Sequence, residues 1–342
     1  MVMKLSTKKA HEGDVVELLE EFPEYGLHQG QRGVVITVFE EPQEAYDVEV
    51  QGEDGAFLGF AYSVKPTQFA NITDDFIEEG LTFVLDGNDI EAEKRFKVAA
   101  ALNPKSKGIV LNSILKIADQ LKEKERIIPI LRLLCRAFPD YEYARNNLAI
   151  AYLNYAVKRA KVDDFGTAQM YLLRAIGMNA PTDVVIKIQE NLASVLIALG
   201  EHAHAGGRFE ESMALMRTAC ATYPSDATRH NLRLAHAHLA RFYMGERRYQ
   251  DAVLAFEAAE EAGLVLPELL NDHAITLVFE GRVEEAAHLL GKALELAPEA
   301  QKIKENLEKL RSNQSSETLI PETIRTNYIP IPAMDQGYQL AS

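Results

Sequence analysis

Two stretches of this chain carry the same face. Ala252, Phe256 and Ala259 are spaced four and three apart, and Ala286, Leu290 and Ala293 repeat that spacing, with Pro298 five residues later. Steps of three and four put side chains on one side of a helix. Alanine on either side of a large apolar residue lets a second helix come close. The signature recurs far upstream, at Ala92, Phe96, Ala99 and Pro104. A face that returns along the chain predicts stacked helical hairpins, each burying its apolar side against its neighbours.

This small-large-small spacing with its closing proline resembles the tetratricopeptide repeat. The resemblance implies a mainly α fold, a right-handed solenoid of six repeats over residues 71–312. The first unit has Gly80 and Phe83 on its first helix, a turn at Gly87-Asn88-Asp89, and Ala92, Phe96 and Ala99 on its second. The second unit, 105–140, is degenerate: Ala118 is in place, Ile127, Leu131 and Leu134 replace the usual face, and Pro129 must fall near a helix start, where its missing N–H is not needed. The next three units each carry Asn-Leu on the first helix, at Asn147, Asn191 and Asn231, and a small residue on the second, at Ala168, Ser212 and Ala252. The separations 168−147, 212−191 and 252−231 are each 21. An ordinary unit is shorter there by about seven residues, two helical turns, so these first helices are expected to be longer by two turns or to carry a regular insertion. A sixth unit, 267–300, returns to the ordinary length. Residues 300–312, with Ile303, Leu307 and Leu310 as an apolar stripe, read as a capping helix.

Ahead of the helices, residues 12–70 have the alternation of four or five short strands, with Glu53-Asp54-Gly55 as a hairpin turn. Leu58, Phe60 and Tyr62 are expected on one face of the last long strand. The pieces Gly13-Asp14-Val15-Val16, Gly30 to Val35, Ala45 to Val50 and the aromatic strand 57–62 resemble a family of small bacterial domains of uncharacterised function. That resemblance implies a small SH3-like β-barrel at 1–70 and a protein-binding role, with no chemistry. Tyr25, Tyr46, Phe57 and Tyr62 either form an aromatic groove for an extended peptide or fill the small core.

The formal charge of −15 argues against nucleic acid, which needs clustered Lys and Arg. Residues 1–75 hold five Lys/Arg and fifteen Asp/Glu, so this segment carries −10 of the total. Cys135 and Cys220 fall on apolar helix faces and read as reduced core thiols. No segment has the apolar length of a signal peptide or a membrane helix, so a bacterial cytoplasm, without membrane contact, is the expected setting.

No catalytic, cofactor or metal motif stands out. There is no phosphate loop and no nucleophile elbow. His202 and His204 are two apart, as are His236 and His238, which puts each pair about 200° apart around a helix. Neither pair shares a metal from one face, which leaves cross-helix pairing. Glu20-Glu21 and Glu40-Glu41 read as solvated strand edges. The chain is therefore expected not to be an enzyme.

The repeat resemblance implies a groove lined by first helices, where members of that family bind peptides or proteins. Asn147, Asn191 and Asn231 fall at a position that can face it, and an amide can donate and accept to a peptide backbone; the same residues can instead pin neighbouring helices. Asn154 and Lys158 follow Asn147 by two and three turns, and Arg229 and Arg233 flank Asn231. The set suits an acidic or carboxylate-ended peptide, although the paired basic clamp of the carboxylate-gripping members is incomplete. The tail, 313–342, is expected to be mostly disordered. Its segment with Tyr328, Ile329, Pro330, Ile331 and Met334, followed by Tyr338, is apolar, aromatic and proline-rich, and reads as a docking motif or a tail that folds back. The expected function is a non-catalytic scaffold or adaptor; the alternative is a carrier whose tail is docked, cleaved or modified by a partner enzyme. Terminal caps favour a monomer, with end-to-end dimers left open.

Overall fold

A computed structural model describes residues 9–120 and 126–312, with Leu319, Pro321 and Tyr328 beyond them. The chain divides into two compact units at Ala151 and Tyr152, inside one helix.

The first unit opens with five antiparallel strands, β1 (Val15–Leu18), β2 (Arg32–Phe39), β3 (Ala45–Gln51), β4 (Phe57–Val64) and β5 (Phe69–Asn71), in the order β4-β3-β2-β1-β5. Their side chains alternate about the pleat. Val16, Leu18, Val35, Tyr46, Val48, Val50, Ala61, Val64 and Phe69 point inward from all five strands into one buried cluster. Strands that share one small core must curl around it, the arrangement of an SH3-like barrel.

Helices follow directly. Asn71, the last residue of β5, caps α1 (Ile72–Leu85) by accepting from the Asp74 N–H at 3.1 Å. Asn88 caps α2 (Asp89–Leu102) in the same way. Gly87 makes the turn between them at φ +75°, a left-handed conformation that favours glycine. α1 and α2 pack as a hairpin. Gly80 allows it: a Cβ there would sit 2.5 Å from the ring of fully buried Phe96. α3 (Ser106–Gln120) and α4 (Ile127–Ala137) form the second pair, with Pro129 in the first turn of α4. Phe96 meets Phe138 at 6.4 Å between ring centres.

The barrel is tied to this hairpin through one carboxylate. Asp14, 2% exposed, accepts from Asn103 Nδ2 at 2.7 Å, Asn71 Nδ2 at 2.8 Å and the His11 N–H at 2.8 Å. Burial works against its charge, yet the bonds from His11, Asn103 and Asn71 hold its pKa below the usual value.

The unit boundary falls inside α5 (Glu142–Ala160), a helix of 19 residues. The second unit continues with α6 (Phe165–Ile176), α7 (Thr182–Ala205), α8 (Phe209–Thr222), α9 (Asp226–Gly245), α10 (Tyr249–Glu261), α11 (Pro267–Phe279), α12 (Val283–Leu296) and α13 (Gln301–Arg311). Short loops join α7 to α8, α9 to α10 and α11 to α12, and each pair packs along its length. These are tetratricopeptide-like hairpins. The first helices α5, α7 and α9 run for 19, 24 and 20 residues, against 14 in α1 and 13 in α11. The longer Asn-to-small spacing is thus longer helix. Phe165, Phe209 and Tyr249 each open a second helix, and Ala168, Ser212 and Ala252 are buried one turn later.

α13 closes the array, burying Ile303, Leu307 and Leu310 against α12. Asn306 donates to Asn271 Oδ1 at 2.8 Å, so the buried asparagines of the first helices extend to α11 and into the cap. Beside them Asp272, fully buried, pairs with Arg241 at 2.8 Å.

Candidate partner-binding surface

The groove candidates divide between the units. Asn147 lies in the first, and Asn154, Lys158, Asn191, Arg229, Asn231 and Arg233 lie in the second. Asn147, Asn191 and Asn231 are buried, at 0%, 2% and 0% exposure, so their amides face helix packing and not open water. Asn147 Nδ2 donates to the Tyr143 carbonyl at 2.8 Å, and Asn191 Nδ2 to the Lys187 carbonyl at 2.9 Å. The basic members reach further out. Lys158 is exposed, Arg229 is exposed and paired with Asp226 at 2.9 Å, and Asn154 and Arg233 are half-buried.

A second feature emerges where α7 overruns. Gly207, at φ +75°, turns the chain after α7, and the Arg208 N–H returns to the Ala203 carbonyl at 2.9 Å. This tight closure sets Phe209 against His204, with ring centres 5.1 Å apart at 85°. Phe242, one turn beyond His238 on α9, stacks on Phe209 at 5.1 Å and 29°. His204 and His238 then meet across the helices at 4.4 Å. Burial lowers the pKa of both; for His238 it falls to about 4, with His204 and Arg241 adding to the effect. Both imidazoles are neutral at pH 7. They form an aromatic wall, and among the described residues no group of three or more His, Cys, Asp or Glu is placed to hold a metal.

Of the tail-motif candidates Tyr328 is among the described residues, and it sits on this wall. Its ring lies 5.5 Å from His204 at 90° and 5.8 Å from His238 at 63°. Edge-to-face contacts of this kind suit the ring quadrupoles. The ring also packs against the apolar cluster of Leu234, Ala237, Ala240 and Phe256. Its hydroxyl is 3.5 Å from Ser212 Oγ, and burial raises its pKa. Ile329, Pro330, Ile331, Met334 and Tyr338 lie outside the described residues. The sequence held one signal for this seat: a serine at 212, where the sister units have Ala168 and Ala252.

The barrel carries a separate aromatic surface. Of the four aromatic candidates only Tyr46 fills the core; Tyr25, Phe57 and Tyr62 are 37%, 58% and 50% exposed. Val50 pairs with Gly59 and Gln51 with Phe57, which leaves Leu58 as a bulge. The bulge breaks the expected alternation and brings Phe57 to Phe60 at 5.0 Å, with Tyr62 at 5.9 Å from Phe60 and Tyr25 at 5.7 Å from Tyr62. β4 is an edge strand, so this surface borders free backbone.

Residues 12–60 match the family described as a domain of unknown function, DUF4926. No curated protein matches the chain. Among solved structures, the chain is similar to the Cut9–Hcn1 hetero-tetramer of the APC/C, at 13% identity over 70% of this chain and 42% of that one, TM-score 0.29. It is similar to the TPR domain of P58(IPK), at 13% identity over 70% and 64%, TM-score 0.31. Pseudomonas aeruginosa PilF gives 16% identity over 71% and 97%, TM-score 0.28. The chain thus spans less than half of the Cut9–Hcn1 chain it matches. The repeat architecture rests on the helices themselves. Among the described residues no helix is long and apolar enough to cross a membrane.

Proposed function

We propose that this chain is a non-catalytic scaffold or adaptor whose helical repeats capture a segment of a partner protein. The observation that carries the reading is Tyr328: a recess between repeat helices already holds a side chain from outside the repeats. A surface that accepts one such side chain suits peptide capture. Within the second unit, Asn154, Lys158, Arg229 and Arg233 supply donors for an acidic or carboxylate-ended segment, while Asn191 and Asn231 fix the spacing of the helices that present them. Asn147 has the equivalent role in the first unit. The aromatic face of the acidic barrel is a second contact surface. A protein or peptide partner, no nucleic acid, and a bacterial cytoplasm complete the proposal.

Affinity capture of the tagged full chain from its host, read by intact mass of bait and partners, tests it. A stoichiometric partner with an unaltered bait, lost on Arg229→Ala with Arg233→Ala, is the expected result. Capture indifferent to that double substitution overturns the assignment of the basic face. A bait cut or altered within 313–342 favours the carrier reading instead.

A further inference from the structure

We propose that the recess between α7, α8 and α9 is a seat for one tyrosine side chain of a partner segment, and that Tyr328 of the same chain holds it in the resting state. The inference rests on the capture reading and names the residue type captured. Three features fit a tyrosine more than any other side chain. The wall is aromatic, with His204 and His238 both presented to the Tyr328 ring. The floor is apolar, the ring packing against the buried cluster to which α9 contributes Leu234, Ala237 and Ala240. The far end carries a single hydroxyl, Ser212, at the position where sister units have alanine, and it lies 3.5 Å from the tyrosine hydroxyl. An aliphatic side chain would leave Ser212 unmet.

The seat also depends on the longer first helices. His204 lies in the last turn of α7, within the stretch by which this helix exceeds ordinary length. Repeats of ordinary length have no wall at that point.

Tyr328 competes with any partner for this seat. A ligand on the same chain acts at an effective concentration on the order of millimolar, so a weak ligand in trans meets an occupied site. Opening the seat should raise its apparent affinity about tenfold.

The test uses full-length chains and a labelled peptide of the sequence 323–334. Fluorescence anisotropy should show the Tyr328→Ala chain binding it about tenfold tighter than the unsubstituted chain. A peptide with alanine at the tyrosine should not bind. A peptide with phenylalanine there should bind a few-fold more weakly, and Ser212→Ala should abolish that difference. Circular dichroism checks that Tyr328→Ala remains helical; the milder Tyr328→Phe gives the same comparison with a smaller gain. Equal binding by both chains, or equal binding of the alanine peptide, overturns the seat. Light scattering that finds a tail-exchanged dimer overturns occupancy in cis. Binding to neither chain also overturns the seat, while partner capture and the Arg229/Arg233 comparison still decide the broader reading on their own.

Discussion

Asp14 and Asn103 are 89 positions apart and meet at 2.7 Å, with the carboxylate accepting from the amide inside a buried contact. Asp14 belongs to the barrel, and Asn103 ends α2. The same carboxylate accepts from Asn71, which caps α1. One side chain therefore fixes the barrel to both helices of the first hairpin.

Asp14→Ala should destabilise the first unit by about 2 kcal/mol, since it removes the acceptor of the buried Asn103 amide, the half-buried Asn71 amide and a backbone donor. Urea unfolding followed by circular dichroism measures it, and a loss below about 0.5 kcal/mol would show that the junction does not depend on this carboxylate. The pH dependence follows from the depressed pKa. The contribution is complete above the ordinary value of 3.8 and is lost as the pH falls through the lower folded value.

Asp74 behaves in the opposite sense. Burial, with Glu78, Asp14 and Asp75 nearby, raises its pKa to about 7. The fold favours its neutral form, so stability is lost as the pH rises through 7. Asp74→Asn should raise the melting temperature more at pH 8 than at pH 5. The lost attraction of a first-turn carboxylate for the helix dipole, about 0.3–1 kcal/mol, limits the gain. Melting curves at the two pH values check it, and an equal shift at both would contradict the account.

Two helical glycines should respond differently to alanine. At Gly80 the new methyl would lie 2.5 Å from the fully buried Phe96 ring, so Gly80→Ala should cost about 1–3 kcal/mol despite better helix propensity. At Gly200 the obstacle is the terminal methyl of Met216 at 2.8 Å, the movable end of a flexible side chain. Gly200→Ala should be neutral or stabilising. Denaturant midpoints of the two variants decide it.

His238 should titrate near pH 4 in the folded chain, as followed by its imidazole resonances. A folded value below the ordinary 6.5 means stability is complete above 6.5 and declines as the pH falls toward 4. Tyr328→Ala should let water back to the ring and move its titration upward. An unchanged midpoint would mean the tyrosine does not shield it.

Helix lengths were legible because the separation of each Asn from its small partner counts residues along one helix and its turn. The barrel strands were legible from alternation until Leu58, where a bulge that depends on pairing with β3 brings Phe57 beside Phe60 and Tyr62. Tyr46 and Tyr25 look alike in sequence, and only the curl of the sheet buries one and exposes the other. His204 and His238 gave no sign of meeting, because their contact depends on packing between helices and not on spacing within one. Asn271 escaped the asparagine series since its unit has ordinary length and Asp follows it.

The seven-residue lengthening of the first helices has one more consequence. Seven residues come within about 20° of two full turns, so each helix leaves the added stretch in the same rotational phase as it entered. The added turns therefore keep the same side toward the neighbouring helices, and Ala203 is buried within them. What changes is reach. The repeats acquire a rim whose height is set in whole turns, so the surface it offers for recognition changes a heptad at a time.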